Sequence, residues 1–358
     1  MNTRPAQADR MILNHSVSRR KFLVATGAAA GATLAGALTD ASGPAGGYLA
    51  SAKSRVVARR NGTVAQMVQE SVSAFGGIQA FVSPGDRVAI KVNGSWAIAS
   101  ANTSTDVVRE VVSLVKSASP SQVVVYDHVI DGISGWAPIQ SAAEGAGAMA
   151  VMLGGDSSDY TQESLSGVSL KTTEIANVLR QSDVLINVPK LKTHSGSNVT
   201  FCLKNHLGSI LNRHAVHQAE LHQGIADLNT APSIRIKHRL CIADAIEPMV
   251  TGGPKYGTYA NYNGILAGVD PVAVDYVGTQ IIRRYNPSVP QTPAYIQKAA
   301  DLGLGIADPA RIVFEEADVG TPVPEMGPGL LLAGLIGLGL LRGRQTKAAS
   351  RGTDRGLG

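Results

Sequence analysis

Six of the chain's eight histidines fall between His194 and His238, and the segment that carries them opens with Lys190, Lys192 and His194. These three alternate just after the apolar run Val184–Val188, with Pro189 holding the chain extended at the exit. Alternate residues of an extended segment share a face, so the spacing predicts two ammonium groups and an imidazole near one spot. Such a group suits an anionic small molecule bearing carboxylate or phosphate. A solvated basic loop is the plainer reading of the same residues.

Lys204, Asn205 and His206 follow, on a helix expected to start near Asn198. His214, His217 and Glu220 are spaced by three, which on one helix would align them as half of a metal site. His206, His222 and Asp227 are candidates to complete a site for a divalent cation; exposed histidines near a helix end are the alternative. Upstream, Lys91 and Asn93 end a strand and reach the same edge. Gly252 and Gly253, in Thr251-Gly252-Gly253-Pro254-Lys255, offer backbone N–H groups to an anion. The turn lacks the spacing of either nucleotide-binding glycine motif. Asp270, before Pro271, reads as a helix cap rather than a ligand.

The elements that must position these residues alternate. Strands are expected at Ser54–Ala58, Arg87–Val92, Gln122–Asp127, Ala148–Leu153, Asp183–Val188, Arg239–Ala243, Gly264–Gly268 and Arg311–Phe314. Helices are expected at Thr63–Phe75, Ser104–Ser117, Ile175–Arg180 and Pro271–Arg284. That order predicts an α/β fold, a mostly parallel or mixed sheet covered by helices on both faces. Residues 42–320 form one such domain, or two lobes of one, with a ligand crevice beyond the strands' carboxyl ends. The Gly-rich stretch Gly132–Gly147 reads as a flexible region.

The formal charge of +5 is unevenly placed. The two ends hold the excess: residues 42–325 carry 22 basic and 24 acidic side chains, near −2. A nucleic-acid partner is therefore not expected, since it would need the basic excess on the folded body. Two cysteines, Cys202 and Cys241, are too few for an iron–sulfur cluster; they can pair as a disulfide or sit buried as small apolar groups.

Both ends read as addresses. Ser18-Arg19-Arg20-Lys21-Phe22-Leu23 has the form of a twin-arginine export motif, followed by seventeen uncharged residues from Phe22 to Leu38. Residues 1–41 are thus expected to be a signal peptide, engaging the twin-arginine translocase and a signal peptidase that cuts near Thr39-Asp40-Ala41 or after Ala50. At the other end, Val323-Pro324-Glu325 precedes fifteen uncharged residues, Gly327–Leu341, and then Arg342 and Arg344. Fifteen helical residues span roughly 22 Å, short for a bilayer core of about 30 Å. Residues 321–358 resemble a PEP-type sorting signal, with Met326 where proline is usual, and imply a C-terminal sorting enzyme; a membrane anchor is the alternative. The protein is expected in the periplasm or at the outer cell surface, membrane-associated through this tail.

Several motifs, in order, resemble domain-of-unknown-function family 362. They are Ile90–Asn93 (IKVN), Asp183–His194 (DVLINVPKLKTH), Leu203–Gly208 (LKNHLG), Ile242–Met249 (IADAIEPM), Gly252–Gly257 (GGPKYG) and Gly268–Asp275 (GVDPVAVD). The likeness covers about residues 53–315, without the cysteine-rich ferredoxin modules of many relatives. The spacing of His194 and Lys204 is also similar to that of the nickel-pincer lactate racemase family. That resemblance implies His194 as acid/base, Lys204 as cofactor anchor, and His214, His217 or His222 as a metal ligand in a racemase-like enzyme. Phe201-Cys202-Leu203 before the lysine departs from the family's Gly-Gly-Arg. Two readings stand side by side: an exported protein binding an anionic ligand, with or without a divalent metal, or a noncatalytic cell-surface or matrix component.

Overall fold

The structure, a computed structural model, describes residues 53–320; the expected signal peptide and sorting tail lie outside the described residues. In chain order come β1 (Ser54–Arg60), α1 (Val64–Ser73), β2 (Arg87–Val92), α2 (Thr105–Lys116), β3 (Gln122–His128), α3 (Ile133–Gly145) and β4 (Met149–Leu153). A hairpin of β5 (Tyr160–Ser164) and β6 (Thr172–Ala176) follows, then α4 (Asn177–Arg180), β7 (Val184–Val188), β8 (Lys190–His194) and β9 (Asn198–Thr200). Short helices α5 (Cys202–Asn205), α6 (Arg213–Gln218), α7 (Leu221–Leu228) and α8 (Pro232–Arg235) lead to the long strand β10 (His238–Gly252). The chain ends with β11 (Gly257–Tyr259), β12 (Gly264–Gly268), α9 (Pro271–Arg283), α10 (Ala294–Asp301) and β13 (Ile312–Asp318).

The main sheet runs β13-β1-β12-β10-β7-β2-β3-β4. From β10 to β4 every neighbouring pair is parallel; β12 lies antiparallel to both its neighbours. The fold is therefore α/β, with a mostly parallel sheet flanked by helices. Alternate residues feed opposite faces: Ala89 and Leu185 join one core, with α7, α9 and α10, while Val88, Ile90 and Ile186 join another, with α1, α2 and α3. Helix α2 meets its face through Val107, Val108, Val111, Val112 and Val115, the stripe that a 3.6-residue period requires.

The topology fixes where a ligand can sit. From β2 the chain steps outward to β3 and β4, then returns to β7 on β2's other side. The direction of winding reverses between β2 and β7, and such a reversal opens a crevice beyond the strands' carboxyl ends.

Three local expectations are corrected. Gly132–Gly147 is not a flexible region but holds α3, with Trp136, Ile139 and Ala143 buried. Its glycines serve contact: a Cβ on Gly135 would stand 1.9 Å from the Trp96 carbonyl oxygen, so α3 seats directly on the loop after β2. The helix expected over 175–180 survives only as α4, because the β-branched Thr172, Thr173 and Ile175 pair with β5. The helix expected from Asn198 is β9, paired back onto β8. Cys202 and Cys241 are both buried, free thiols.

Asp270 caps α9 as its position predicts. It accepts hydrogen bonds from the N–H groups of Val272 (2.9 Å), Ala273 (3.0 Å) and Ile306 (2.9 Å), and from the Ser54 hydroxyl. Asp270→Ala strands three N–H donors and the Ser54 hydroxyl and should cost about 2–4 kcal/mol, read as a lower urea midpoint at unchanged slope.

Candidate functional site

A cavity of about 570 Å³ opens near this reversal, lined from the ends of β2, β3 and β8 and from α5 and α6. Its floor is a buried ion pair. Lys91 Nζ lies 2.6 Å from Asp127 Oδ1 and also donates to the Val92 carbonyl. The other Asp127 oxygen accepts from Gly94 N–H (2.6 Å) and the Ser95 hydroxyl (3.0 Å), and His128 N–H adds a fourth donor. The carboxylate is thus fully engaged. Gly208 covers the pair closely: a Cβ there would lie 1.8 Å from Asp127 Oδ1.

Helix α5 brings Lys204 to the cavity, and its placement is over-determined. Asp275, from α9, accepts from the N–H groups of Cys202 (2.6 Å) and Leu203 (3.2 Å), capping the short helix from outside. Asn187 of β7 donates to the Cys202 carbonyl, and Asn229 to that of Leu203. Asn205 bonds the Asn187 side chain and the Lys91 carbonyl. Its side chain is held by structural bonds although it lines the cavity.

The basic side chains differ sharply. Lys192 is fully buried and donates to Asn93 Oδ1 and the Ala101 carbonyl, both at 2.8 Å, with Trp96 beside it. Burial, then the nearby Lys204, pulls its pKa well below the ordinary lysine value. Lys204 is 8% exposed, and Arg213 on α6 is half-buried. Among the described residues neither has a hydrogen-bond or ion-pair partner for its side chain. Burial, then Arg213, brings the Lys204 pKa down to about 8.

His194 is set as a donor. Its Nδ1 accepts from the N–H groups of Gly196 (2.9 Å) and Ser197 (3.2 Å), so the neutral ring carries its proton on Nε2. Burial, then Lys204 and Lys192, holds its pKa down at about 3. With Nδ1 occupied and Nε2 already protonated, the ring can polarise an oxygen but has no lone pair left to take a proton.

Asn93, Lys192, His194, Lys204, Asn205, His214 and His217 line the cavity. Other expected site residues do not. Lys91 is held by Asp127 beneath the floor. Lys190 pairs with Asp244 at 3.2 Å, because β8 shifts register against β10 between Lys190 and Lys192. Gly253 N–H is taken by the Tyr256 carbonyl, and Gly252 sits in the β10–β11 ladder; only Pro254 of that turn reaches the cavity. His206 is buried beside Asn187, and His222 accepts from Tyr295 N–H. Glu220 has φ 61° and caps α7, so it leaves the face of His214 and His217. Asp227 accepts from the N–H groups of Val168, Ser169 and Leu170.

Of the residues expected to hold a metal, His214 and His217 line the cavity, while His206 and His222 are held elsewhere. Among the described residues no three His, Cys, Asp or Glu side chains converge on one ion. Trp96, Asp127 and Arg213 went unread in the sequence. For Asp127 a signal existed, an acid at the carboxyl end of a strand; Arg213 was masked by the histidine beside it.

An unpaired buried amine carries a stability cost. Below about pH 8 the folded state must protonate Lys204 against its surroundings, whereas the unfolded chain protonates freely up to about 10.5. Lys204→Met should raise stability at pH 7 by on the order of 3 kcal/mol. The gain should shrink above pH 8 and vanish near 10.5, measured by urea denaturation across pH.

The chain is similar to several known proteins. The thylakoid-associated protein sll1697 of Synechocystis sp. (strain ATCC 27184 / PCC 6803 / Kazusa) is 24% identical over 274 residues, 71% of this chain and 82% of its own. A Thermotoga maritima protein of known structure matches with TM-score 0.38 at 11% identity, over 66% of this chain and 58% of its own. The lactate racemase apoprotein from Thermoanaerobacterium thermosaccharolyticum matches with TM-score 0.35 at 11% identity, over 61% and 55%. The chain thus spans under two thirds of either solved structure. Residues 88–280 match the domain of unknown function DUF362, more than half of the chain, and the chain belongs to that family.

Proposed function

We propose that this is an exported protein that binds an anionic small molecule in the cavity beyond the ends of β2, β3 and β8. One observation carries the reading: Lys204 and Arg213 line the cavity with no hydrogen-bond or ion-pair partner among the described residues, while Asp127, the one carboxylate among the described lining residues, is engaged by Lys91. A volume of about 570 Å³ suits a small ligand. The expected ligand bears a carboxylate or phosphate for Arg213 and Lys204, and an oxygen acceptor for His194 Nε2–H. Arrival of an anion favours the ammonium forms of Lys204 and Lys192, so binding should take up protons near pH 8.

Inorganic phosphate, citrate and pyruvate serve as probes. At least one should raise the melting temperature in a concentration-dependent way. Calorimetry in buffers of different ionisation enthalpy should register proton uptake. Lys204→Met and Arg213→Met should each weaken binding about tenfold or more. Lys190→Met should leave affinity unchanged, since its partner is Asp244. Full affinity in the Lys204→Met/Arg213→Met double variant would sink the reading.

Export rests on the Ser18–Leu23 motif and the uncharged run behind it. The relative from Synechocystis, named as thylakoid-associated, is consistent with work at a membrane. The twin-arginine translocase and signal peptidase are the partners this implies, with a C-terminal sorting enzyme acting on the tail; no helix of the described residues is long and apolar enough to cross a membrane. Replacing Arg19 and Arg20 together by lysine should trap the full-length precursor in the cytoplasmic fraction. Unchanged export of that variant would refute the twin-arginine route.

A further inference from the structure

We propose that Lys204 forms a reversible imine with a carbonyl group of the cavity's ligand, which makes the ligand class a carbonyl-bearing anion such as a keto acid or an aldehyde phosphate. The inference rests on the reading of the cavity as an anion site and adds a covalent step to it.

The buried lysines are treated in different ways. Lys91 is paired with Asp127 and Lys190 with Asp244; Lys192 donates to Asn93 and Ala101. Lys204, also buried, has no such partner among the described residues, and it lines the cavity. An amine that served only packing would be matched by an acceptor, because an unpaired buried polar group costs free energy. One that must attack a carbonyl has to keep its lone pair available, and a buried lysine beside a second cation does so.

The groups around it suit that step. Arg213 supplies the charge that would seat the ligand's acid group. His194, held with its proton on Nε2, can donate to a carbonyl oxygen without accepting a proton itself. In the reaction, the Lys204 Nζ lone pair attacks the carbonyl carbon and a C–N bond forms. A proton passes from nitrogen to oxygen through water, while His194 hydrogen-bonds the developing oxyanion. The second N–H proton then follows through water to the same oxygen as the C–O bond breaks, so water leaves and C=N remains; no oxidant or reductant is needed.

Reductive trapping tests the proposal. The folded protein is incubated at pH 7.5 with pyruvate or glyoxylate and cyanoborohydride, and the modified lysines are mapped by peptide mass spectrometry. At that pH roughly a quarter of Lys204 amines are free if its pKa is about 8, against about 0.1% of an ordinary exposed lysine. Lys204 should therefore be labelled at least tenfold faster than the exposed Lys116. The rate should rise with pH through about 8, with Arg213 and His217 on α6, Lys192 and His194 on β8 and Asp127 on β3 as the charged and titratable groups around it. Lys204→Arg should abolish the fast adduct, and inorganic phosphate should slow it in the unmodified protein. Labelling of Lys204 no faster than Lys116 with both probes overturns the imine. The phosphate-induced melting shift, recorded on the same preparation, reports separately on whether the cavity binds anions.

Discussion

A carboxylate buried at the carboxyl end of β3 organises this end of the molecule. Two charges taken out of water cost several kcal/mol each unless geometry and added hydrogen bonds offset the loss. Asp127 and Lys91 meet that condition only because three elements converge on them. The loop after β2 supplies Gly94 N–H and the Ser95 hydroxyl, β3 supplies His128 N–H, and Asn205 on α5 lies 3.4 Å from the lysine. Breaking the pair would leave a buried charge uncompensated, so the loop, the strand end and α5 hold their places together. The cavity is the space that this convergence leaves open.

The motifs legible in the sequence are largely the parts of this scaffold. In Gly268–Asp275 both acids are caps: Asp270 serves its own helix, and Asp275 reaches across to α5. In Leu203–Gly208 the glycine is required because no Cβ fits over Asp127. In Asp183–His194, Asn187 holds α5 from the strand beside it. Lys192 and Asn93, distant in sequence, bond each other. Of these, Lys192 and Asn93 read as site residues, while Asp270, Asp275, Asn187 and Gly208 act by positioning others.

Strands and long helices were legible because each carries a period that burial enforces, as in α2 with its valine stripe. Shorter features were not. His214, His217 and Glu220 look like one helical array, but the left-handed backbone at Glu220 ends α6 and starts α7. Lys190 and Lys192 share a strand face by count, yet the bulge in β10 gives them different surroundings. Gly135 reads as a breaker until the Trp96 carbonyl beside it is known. In each case the deciding contact comes from far along the chain, where local pattern carries no information.

The treatment of charge then separates scaffold from site. A fold that only had to bury lysines would pair all of them, as it does with Lys91 and Lys190. Positioning Lys204 takes bonds from Asp275, Asn187, Asn229 and Asn205, none of which reaches its amine. Much structure is therefore committed to holding a side chain whose own functional atom is left unmatched. Local rules agree with one another through most of the chain and conflict at this amine, and such a conflict is where function is expected to lie. His194 shows the complementary case. There the backbone of Gly196 and Ser197 fixes one ring nitrogen so that the other has a single role. An amine whose pKa is brought down to about 8 and a fixed donor, lining one cavity beside a guanidinium with no partner among the described residues, are what the proposed anion binding and imine formation require.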